Sequence, residues 1–226
     1  MNAWLASVSA LIPDFWAGSL VTLKLTAYGL GIGFLLGLPT AIMRVYGNKW
    51  VAGLSSVYTE LFRGTPALVQ LFIIYYGLPD LGLTFDRLPA AIIALGLNSG
   101  AYQAEYFRGA IQAIGSGQLT AARSIGMSTF QAVRYIILPQ ALRLVIPAWS
   151  NEPISLLKTS AIVFLIAVAD VMGIAKQMAA RTYDPLAAYF AAAFAYLIMA
   201  FAINAILSYA EKKAEIPGFS LEVLRT

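Results

Sequence analysis

The feature that most constrains this chain is an uncharged run from Leu186 to Tyr209. A helix of about 20 mainly apolar residues is long enough to cross the hydrocarbon layer of a bilayer. Four further runs are similar in length and character, although the fourth carries Lys158 and Asp170. The predicted spans are residues 20–43, 58–78, 88–109, 153–173 and 186–209. The sequence therefore predicts an all-α integral membrane protein, with five transmembrane helices in a single domain over residues 1–226.

Composition supports the membrane class and excludes several kinds of activity. Hydrophobic residues make up 60% of the chain and charged residues 12%, about half the charged share of a soluble domain. The chain has no cysteine and no histidine, so disulfides, a histidine-based catalytic triad and the commonest metal ligands are excluded. It also lacks the glycine-rich phosphate loop that binds ATP. We therefore expect no enzyme activity, no cofactor and no metal site in this chain.

The basic residues indicate an orientation in the membrane. They are scattered between the apolar runs rather than gathered on one face, which argues against a nucleic-acid partner. Segments 44–57, 110–152 and 210–226 hold eight Lys and Arg residues, whereas the segments on the opposite side hold three. Positively charged loops face the cytoplasm. The sequence thus predicts an N-terminus outside the cytoplasm, a cytoplasmic C-terminus and a cytoplasmic segment 110–152.

Segment 110–152 has a helical pattern of its own. Gly115-Ser116-Gly117 interrupts the preceding helix, and Gly126 interrupts the pattern a second time. Ser128 and Gln131 have the spacing of a capping box at the start of a further helix. The sequence predicts two short helices that meet at Gly126, an arrangement typical of a docking element.

The second short helix is predicted to be amphipathic and to end at Pro139. Its apolar face is formed, at spacing i, i+3, i+7, by Phe130, Val133 and Ile137. A helix lying on the membrane surface is the alternative interpretation, which Arg123 and Arg134 would also suit.

One motif in this segment resembles a known family. Thr120-Ala121-Ala122, three residues, Gly126 and then Ile137-Leu138-Pro139 are similar to the "EAA" loop of binding-protein-dependent ATP-binding-cassette importer permeases. The family has glutamate where this chain has Thr120, so docking by shape is expected rather than a carboxylate contact. The resemblance implies that the residues that couple the loop, 115–139, to an ATPase are Thr120, Ala121, Ala122, Arg123, Gly126, Met127 and Pro139.

Other segments resemble the polar amino-acid permeases of the histidine/glutamine type. They are Phe62-Arg63-Gly64-Thr65-Pro66, Asn98-Ser99-Gly100-Ala101-Tyr102, Glu105-Tyr106-Phe107-Arg108-Gly109 and Leu156-Leu157-Lys158. The resemblance implies the type I importer permease fold, with short cytoplasmic coupling helices. It also implies an ATPase dimer, a periplasmic amino-acid-binding protein and a second permease subunit as partners. These partners imply a location in the inner membrane of a bacterium, with the N-terminus in the periplasm and the C-terminus in the cytoplasm. A heterodimer of permeases is favoured, with a homodimer as the alternative.

Charged residues at membrane depth form two pairs with the same spacing. Glu60 and Arg63 lie on the second span and Glu105 and Arg108 on the third. Because these spans run antiparallel, Arg63 lies level with Glu105, and Glu60 with Arg108. We expect intramembrane ion pairs at these levels, with snorkelling of each charge to the membrane surface as the alternative.

Four polar residues are candidates for the substrate path of a polar or basic amino acid. Asn98 and Tyr102 share one face of the third span, four residues apart, and Thr159 and Ser160 lie on the fourth. Ordinary hydrogen bonding between helices is the alternative role. In the family, aspartate often follows the Leu-Leu-Lys segment, and Thr159 stands there in this chain.

Two other classes of function remain to be weighed against an importer subunit. A membrane enzyme would need a nucleophile, base or metal cluster at membrane depth, which the residues do not supply. A secondary transporter working without an ATPase would usually show an internal inverted repeat, and five unequal spans do not divide into two.

Overall fold

The chain is almost entirely helical in a computed structural model that describes the backbone of residues 2–214 and the side chains of residues 13–209, 211 and 212. No strand occurs in this part of the chain, which confirms the predicted all-α class. The predicted C-terminal orientation draws on Lys213 and Arg225, whose side chains lie outside the described residues. In chain order the α-helices are α1 (Asn2–Tyr46), α2 (Lys49–Gly64), α3 (Ala67–Phe72), α4 (Arg87–Ala113), α5 (Ser116–Ser124), α6 (Thr129–Ala132), α7 (Leu138–Leu144), α8 (Ile146–Trp149), α9 (Asn151–Thr159), α10 (Val171–Thr182) and α11 (Pro185–Ala214).

Short segments of other helix types join some of these elements. Ile73–Gly77 and Val133–Ile137 are π-helical, whereas Leu78–Leu81 and Ser160–Ile166 are 3₁₀ helices. Two helical segments, Pro13–Tyr46 and Pro185–Tyr209, are long and apolar enough to cross a membrane. Two bent pairs of helices raise the number to four if each pair is one span.

The second and fourth predicted spans are not continuous helices, and this part of the prediction is wrong. Between Lys49–Gly64 and Ala67–Leu81 the axis bends by 105°, and between Ile146–Ile166 and Val171–Thr182 it bends by 49°. Pro66 causes the first break, because proline disfavours helical backbone at the residue before it and Thr65 is extended there (φ −118°, ψ 147°). At the second break Ala167 is left-handed, with φ 58°.

The most extensive helix contact joins α1 and α4 in parallel, through glycines of α1. A Cβ atom on Gly33 would lie 2.8 Å from Ser99 Oγ, and one on Gly37 would lie 2.9 Å from Gly100 O. Small residues spaced four apart allow this approach. A Cβ atom on the neighbouring Gly31 would have nothing within 4 Å, so close packing does not require glycine at that position.

The segment after α4 folds back onto the ends of α1 and α4. A buried apolar cluster joins these elements, formed by Ala41, Phe107, Ala110, Ile111, Val133, Ile137, Ala141 and Val145. We call this end of the bundle the loop end. Because Val133 and Ile137 are buried in the protein, the helix they belong to does not lie free on a membrane surface.

Two details of the loop prediction are wrong. Phe130 is 73% exposed, although it was expected on the same face as Val133 and Ile137; the buried face of this segment is formed instead by Ala132, Val133 and Ile137. Pro139 does not end the helix, because it lies in the first turn of α7. At that position the missing N–H of proline removes no hydrogen bond.

Candidate functional site

A cavity of about 360 Å³ lies between the broken end of α2, α4 and α9. This volume is within the range of about 300–1,000 Å³ found for small-molecule sites. The lining residues are Arg63, Gly64, Thr65, Pro66, Ala67, Asn98, Tyr102, Glu152, Ser155, Leu156 and Thr159. Three of the four predicted path residues, Asn98, Tyr102 and Thr159, are therefore brought together here.

The fourth predicted path residue, Ser160, lies away from the cavity. It is fully buried, and its hydroxyl donates to the Leu157 carbonyl oxygen at 2.7 Å. Thr159 makes a similar bond to the Ser155 carbonyl oxygen, at 2.9 Å, but it stays at the cavity wall. Adjacent residues of a helix point in different directions, so Thr159 lines the cavity whereas Ser160 does not.

Glu152 supplies a carboxylate to the cavity. Its side chain lines the cavity while the residue is only 4% exposed. Ser99 Oγ donates to Glu152 Oε1 at 2.7 Å, and Gln103 Nε2 donates to Ser99 Oγ at 3.0 Å. Trp149 Nε1 in turn donates to Gln103 Oε1 at 2.8 Å. This chain of hydrogen bonds fixes the carboxylate between α4 and α9.

Arg63 adds a positive charge to the lining of the same cavity. Its guanidinium carbon lies 5.5 Å from the centre of the Tyr102 ring, within the range of a cation–π contact. Its Nη1 atom is 3.9 Å from Glu105 Oε2, as the helix levels predict. The cavity thus has a carboxylate, Glu152, and a guanidinium, Arg63, among its lining groups.

Glu105 is the centre of a larger charged cluster. Its Oε2 atom accepts hydrogen bonds from Arg108 Nε at 3.0 Å and Nη2 at 2.7 Å. Arg44 of α1 contacts the other carboxylate oxygen and donates to Thr59 Oγ1 at 2.9 Å. One carboxylate therefore joins three arginines that come from α1, α2 and α4.

The predicted pair of Glu60 and Arg108 does not form among the described side chains. Arg108 binds Glu105 on its own helix and donates to Gln112 Oε1 at 2.6 Å. Glu60 is exposed. Helix levels do not determine the direction in which a side chain leaves its helix, and here Arg108 turns to Glu105.

Two amide side chains satisfy the broken end of α2. Gln70 Nε2 donates to the carbonyl oxygens of Phe62 at 2.8 Å and Thr65 at 3.0 Å. Asn98 Nδ2 donates to the Phe62 carbonyl oxygen at 3.2 Å and to Gln70 Oε1 at 3.0 Å. Asn98 is thus committed to this cap through its nitrogen while it also lines the cavity.

The coupling loop has a well-defined turn between α5 and α6. Gly126 is left-handed (φ 88°), and it ends α5 with the Schellman hydrogen bonds from Gly126 N to Arg123 O at 3.0 Å and from Met127 N to Ala122 O at 3.1 Å. The capping box of Ser128 and Gln131 is present, as predicted. The turn requires a residue that adopts positive φ without strain, which explains the glycine.

The predicted coupling residues differ in exposure. Ala122 is 2% exposed and packs inside the loop, whereas Ala121 and Arg123 are exposed. Thr120 is exposed as well, and its hydroxyl donates only to the Ser116 carbonyl oxygen, at 3.0 Å. Three large hydrophobic side chains of the loop are exposed, namely Ile125, Phe130 and Tyr135.

Three residues of the site were missed by sequence reasoning. Glu152 precedes Pro153, where the fourth span was expected to begin, and was therefore assigned to the loop. Arg44 follows the expected end of the first span, although α1 continues to Tyr46. Gln70 carried a usable signal, because an uncharged polar side chain at membrane depth needs a partner that lipid does not offer.

The comparisons with known proteins agree with this architecture. The family profile described as "Binding-protein-dependent transport system inner membrane component" matches residues 29–216. The chain is 39% identical over 209 residues to the nopaline transport system permease protein NocM of Agrobacterium fabrum, covering 88% of this chain and 87% of that one. It is also 39% identical over 208 residues to the histidine/lysine/arginine/ornithine transport system permease protein HisM of Escherichia coli, with the same coverage.

A solved structure has the same fold. The crystal structure of an amino acid ABC transporter with histidines contains a chain that is 41% identical, with a TM-score of 0.84, over 92% of this chain and 97% of that one.

Proposed function

This chain belongs to the family of binding-protein-dependent transport system inner membrane components, and from that membership we propose that it forms half of the path by which a basic amino acid crosses the membrane. It is a permease subunit of an amino-acid importer of the ATP-binding-cassette class. The relatives give no support to the alternative of a secondary transporter without an ATPase. The proposal of a basic amino acid as the substrate rests on the buried carboxylate of Glu152 at the cavity wall.

The polarity of the cavity fits an amino acid with a cationic side chain. Glu152 binds the positive side chain, and Arg63 binds the α-carboxylate, the group that a planar guanidinium recognises best. Thr159 stands at the position where the family often has aspartate, so Glu152 is the carboxylate available for this role. HisM is named for histidine, lysine, arginine and ornithine, which all have basic side chains.

The second permease subunit covers the open side of this cavity. Tyr102, Ser155 and Lys158 are exposed beside it, at the depth of the membrane spans. Lipid does not satisfy such groups, so a protein surface is needed there. We favour a related chain over a second copy, because the sequence resembles the histidine type of permease.

The remaining partners follow from the importer class. A pair of ATPase subunits docks on the coupling loop, through the exposed Ile125, Phe130 and Tyr135 around the turn at Gly126. A periplasmic binding protein delivers the amino acid from the opposite side. Closure of the ATPase pair moves the two loops together and opens the cavity outward, and hydrolysis resets it.

Five crossings remain the arrangement we propose for the single domain. The two bent helix pairs and two long apolar helices account for four. Helix α4 is the fifth, because its 27 residues reach about 40 Å at 1.5 Å per residue. Its charges and amides are accommodated because it lies inside the bundle. The N-terminus is then periplasmic, and the coupling loop and C-terminus are cytoplasmic, in a bacterial inner membrane.

Replacement of Glu152 by glutamine tests the substrate site. In the purified permease–ATPase complex, Glu152→Gln is expected to weaken binding of L-arginine by about 30-fold, because loss of one partner of a desolvated charge pair costs roughly 2 kcal/mol or more. L-citrulline, whose urea group has the shape of a guanidinium without its charge, is expected to bind equally to both proteins. Isothermal titration with each ligand measures the preference for arginine.

Glu211→Gln on α11 is the matched control, since Glu211 does not line the cavity and its loss is expected to leave both affinities unchanged. An unchanged preference for L-arginine over L-citrulline in Glu152→Gln would show that the cavity is not the site of the basic side chain.

A further inference from the structure

The carboxyl end of α2 is an unusual surface, because a helix that ends at membrane depth leaves carbonyl oxygens without intrahelical partners. The last turn of α2 is followed by Thr65 and by Pro66, which has no N–H to donate. Thr65 Oγ1 donates to the Leu61 carbonyl oxygen at 2.7 Å. Gln70 and Asn98 satisfy the carbonyl oxygen of Phe62.

Two carbonyl oxygens of this end accept no hydrogen bond from the described part of the chain. Within the hydrogen bonds of the described residues, none is donated to the oxygen of Arg63 or Gly64. Both residues line the cavity. The end of a helix that carries its free carbonyls also carries the negative end of its dipole, equivalent to about half an elementary charge. The cavity wall therefore offers acceptors and a favourable potential to a cationic donor.

Gln70 fixes the geometry of this wall. It is 5% exposed, and its Nε2 atom bridges the last turn of α2 at Phe62 to the break at Thr65. Its Oε1 atom is held by Asn98 of α4. Arg63 and Gly64 lie between the two points that Gln70 joins, so the positions of their carbonyl groups depend on it.

We propose that the carbonyl oxygens of Arg63 and Gly64 accept hydrogen bonds from the α-ammonium group of the amino acid, and that Gln70, held by Asn98, is the positioning residue that fixes them. The proposal rests on the proposed function, because it takes the same cavity as the site of the substrate. It adds the recognition of a group that every amino acid carries, whereas Glu152 distinguishes the side chain.

The test compares L-arginine with 5-guanidinopentanoate, its analogue without the α-amino group, in the purified permease–ATPase complex. Gln70→Met is expected to weaken binding of L-arginine about tenfold, the scale of one hydrogen bond to a charged group. Binding of the analogue is expected to change less than about twofold. Gln70→Glu gives a second variant of the same shape, which keeps the acceptor for Asn98 and loses the donors to Phe62 and Thr65.

Gln177→Met, at an exposed position of α10, is the matched control and is expected to change neither affinity. Equal losses for both ligands would reduce Gln70 to a residue of structural importance only, and unchanged affinities would also overturn the proposal. If neither Gln70 variant assembles with the ATPase, the test uses the unaltered complex. Equal binding of L-arginine and 5-guanidinopentanoate to that complex would rule out a contact between the α-ammonium group and the carbonyl oxygens. Failure of the proposed function is detected by a different measurement, namely an unchanged preference of the Glu152 variant for L-arginine over L-citrulline.

Discussion

At the scale of single residues, Glu105 holds together more charge than any other carboxylate described in this chain. Arg44, Arg63 and Arg108 lie within 4 Å of it. Three guanidinium groups repel each other, and the attraction of each one to the shared carboxylate offsets this repulsion. The contact to Arg63, at 3.9 Å, also links this cluster to the cavity, since Arg63 lines it.

Glu105→Gln is therefore expected to destabilise the subunit. Removal of one partner from a buried ion pair costs about 3–5 kcal/mol, and we expect roughly 2–3 kcal/mol here because the four side chains are partly exposed. The denaturation midpoint of the purified complex in detergent measures the loss. Glu60→Gln on α2, which has no ion-pair partner among the described residues, is the control and is expected to change stability by less than about 0.5 kcal/mol. Equal stability of the two variants would contradict the central role of Glu105.

The residue scale also marks the limit of what periodicity predicts. Counting turns placed Arg63 level with Glu105, and the contact is present. The same counting gave Glu60 and Arg108 as partners, but Arg108 binds Glu105, which lies one turn away on the same helix. Helical spacing fixes height along the axis. It leaves open the rotation of each helix, which only packing between helices determines.

At the scale of elements, the coupling loop depends on a packed interior. Ala122 lies inside the loop, whereas Thr120 lies on its surface with a hydrogen bond only to its own helix. A side chain larger than alanine at position 122 has no space without a shift of α5 against α6.

Ala122→Leu is expected to uncouple ATP hydrolysis from transport. Proteoliposomes that contain the complex should hydrolyse ATP while importing at least about tenfold less L-arginine per ATP, because α5 no longer presents its docking surface in the correct position. The ratio of imported arginine to released phosphate measures the effect. Thr120→Ala is the control and should keep the ratio within about twofold. A normal ratio in Ala122→Leu would show that the interior of the loop does not govern coupling.

Sequence patterns predicted the existence of the two loop helices and the turn between them, because glycine and capping residues act locally. The pattern failed at Phe130, near the start of α6. Spacing placed it with Val133 and Ile137, but packing covers Ala132, Val133 and Ile137 and leaves Phe130 73% exposed. The prediction for Pro139 failed because proline is found both where helices end and in their first turn.

At the scale of the whole molecule, the absence of cysteine from the sequence allows the orientation to be tested directly. Asp80→Cys lies in the 3₁₀ turn before α4, on the side proposed to be periplasmic, and Gly117→Cys lies in the proposed cytoplasmic loop. A membrane-impermeant maleimide is expected to label the first variant in spheroplasts and the second only after the membrane is opened. The unaltered chain is the control for labelling. The reverse pattern would invert the proposed orientation.

The five apolar runs predicted the general architecture, because removal of apolar surface from water is the main force that drives such a chain into a bilayer. They did not predict the two breaks, at Thr65–Pro66 and near Ala167. A broken helix keeps the composition of a continuous one, and the donors that make the break tolerable come from distant parts of the chain, as Asn98 does for α2. The candidate site inherits this limit, since its cavity lies at a break.

Helix α4 connects the cavity to the loop end through one continuous helix. It runs without interruption from Arg87 to Ala113, carries Asn98 and Tyr102 at the cavity, continues through Glu105 in the charged cluster, and ends against the apolar cluster that holds the loop. Over the middle of its length α4 packs closely against α1, at the glycines of α1. We therefore expect a displacement at the loop end to be passed along α4 to the cavity wall, because one continuous helix joins the two.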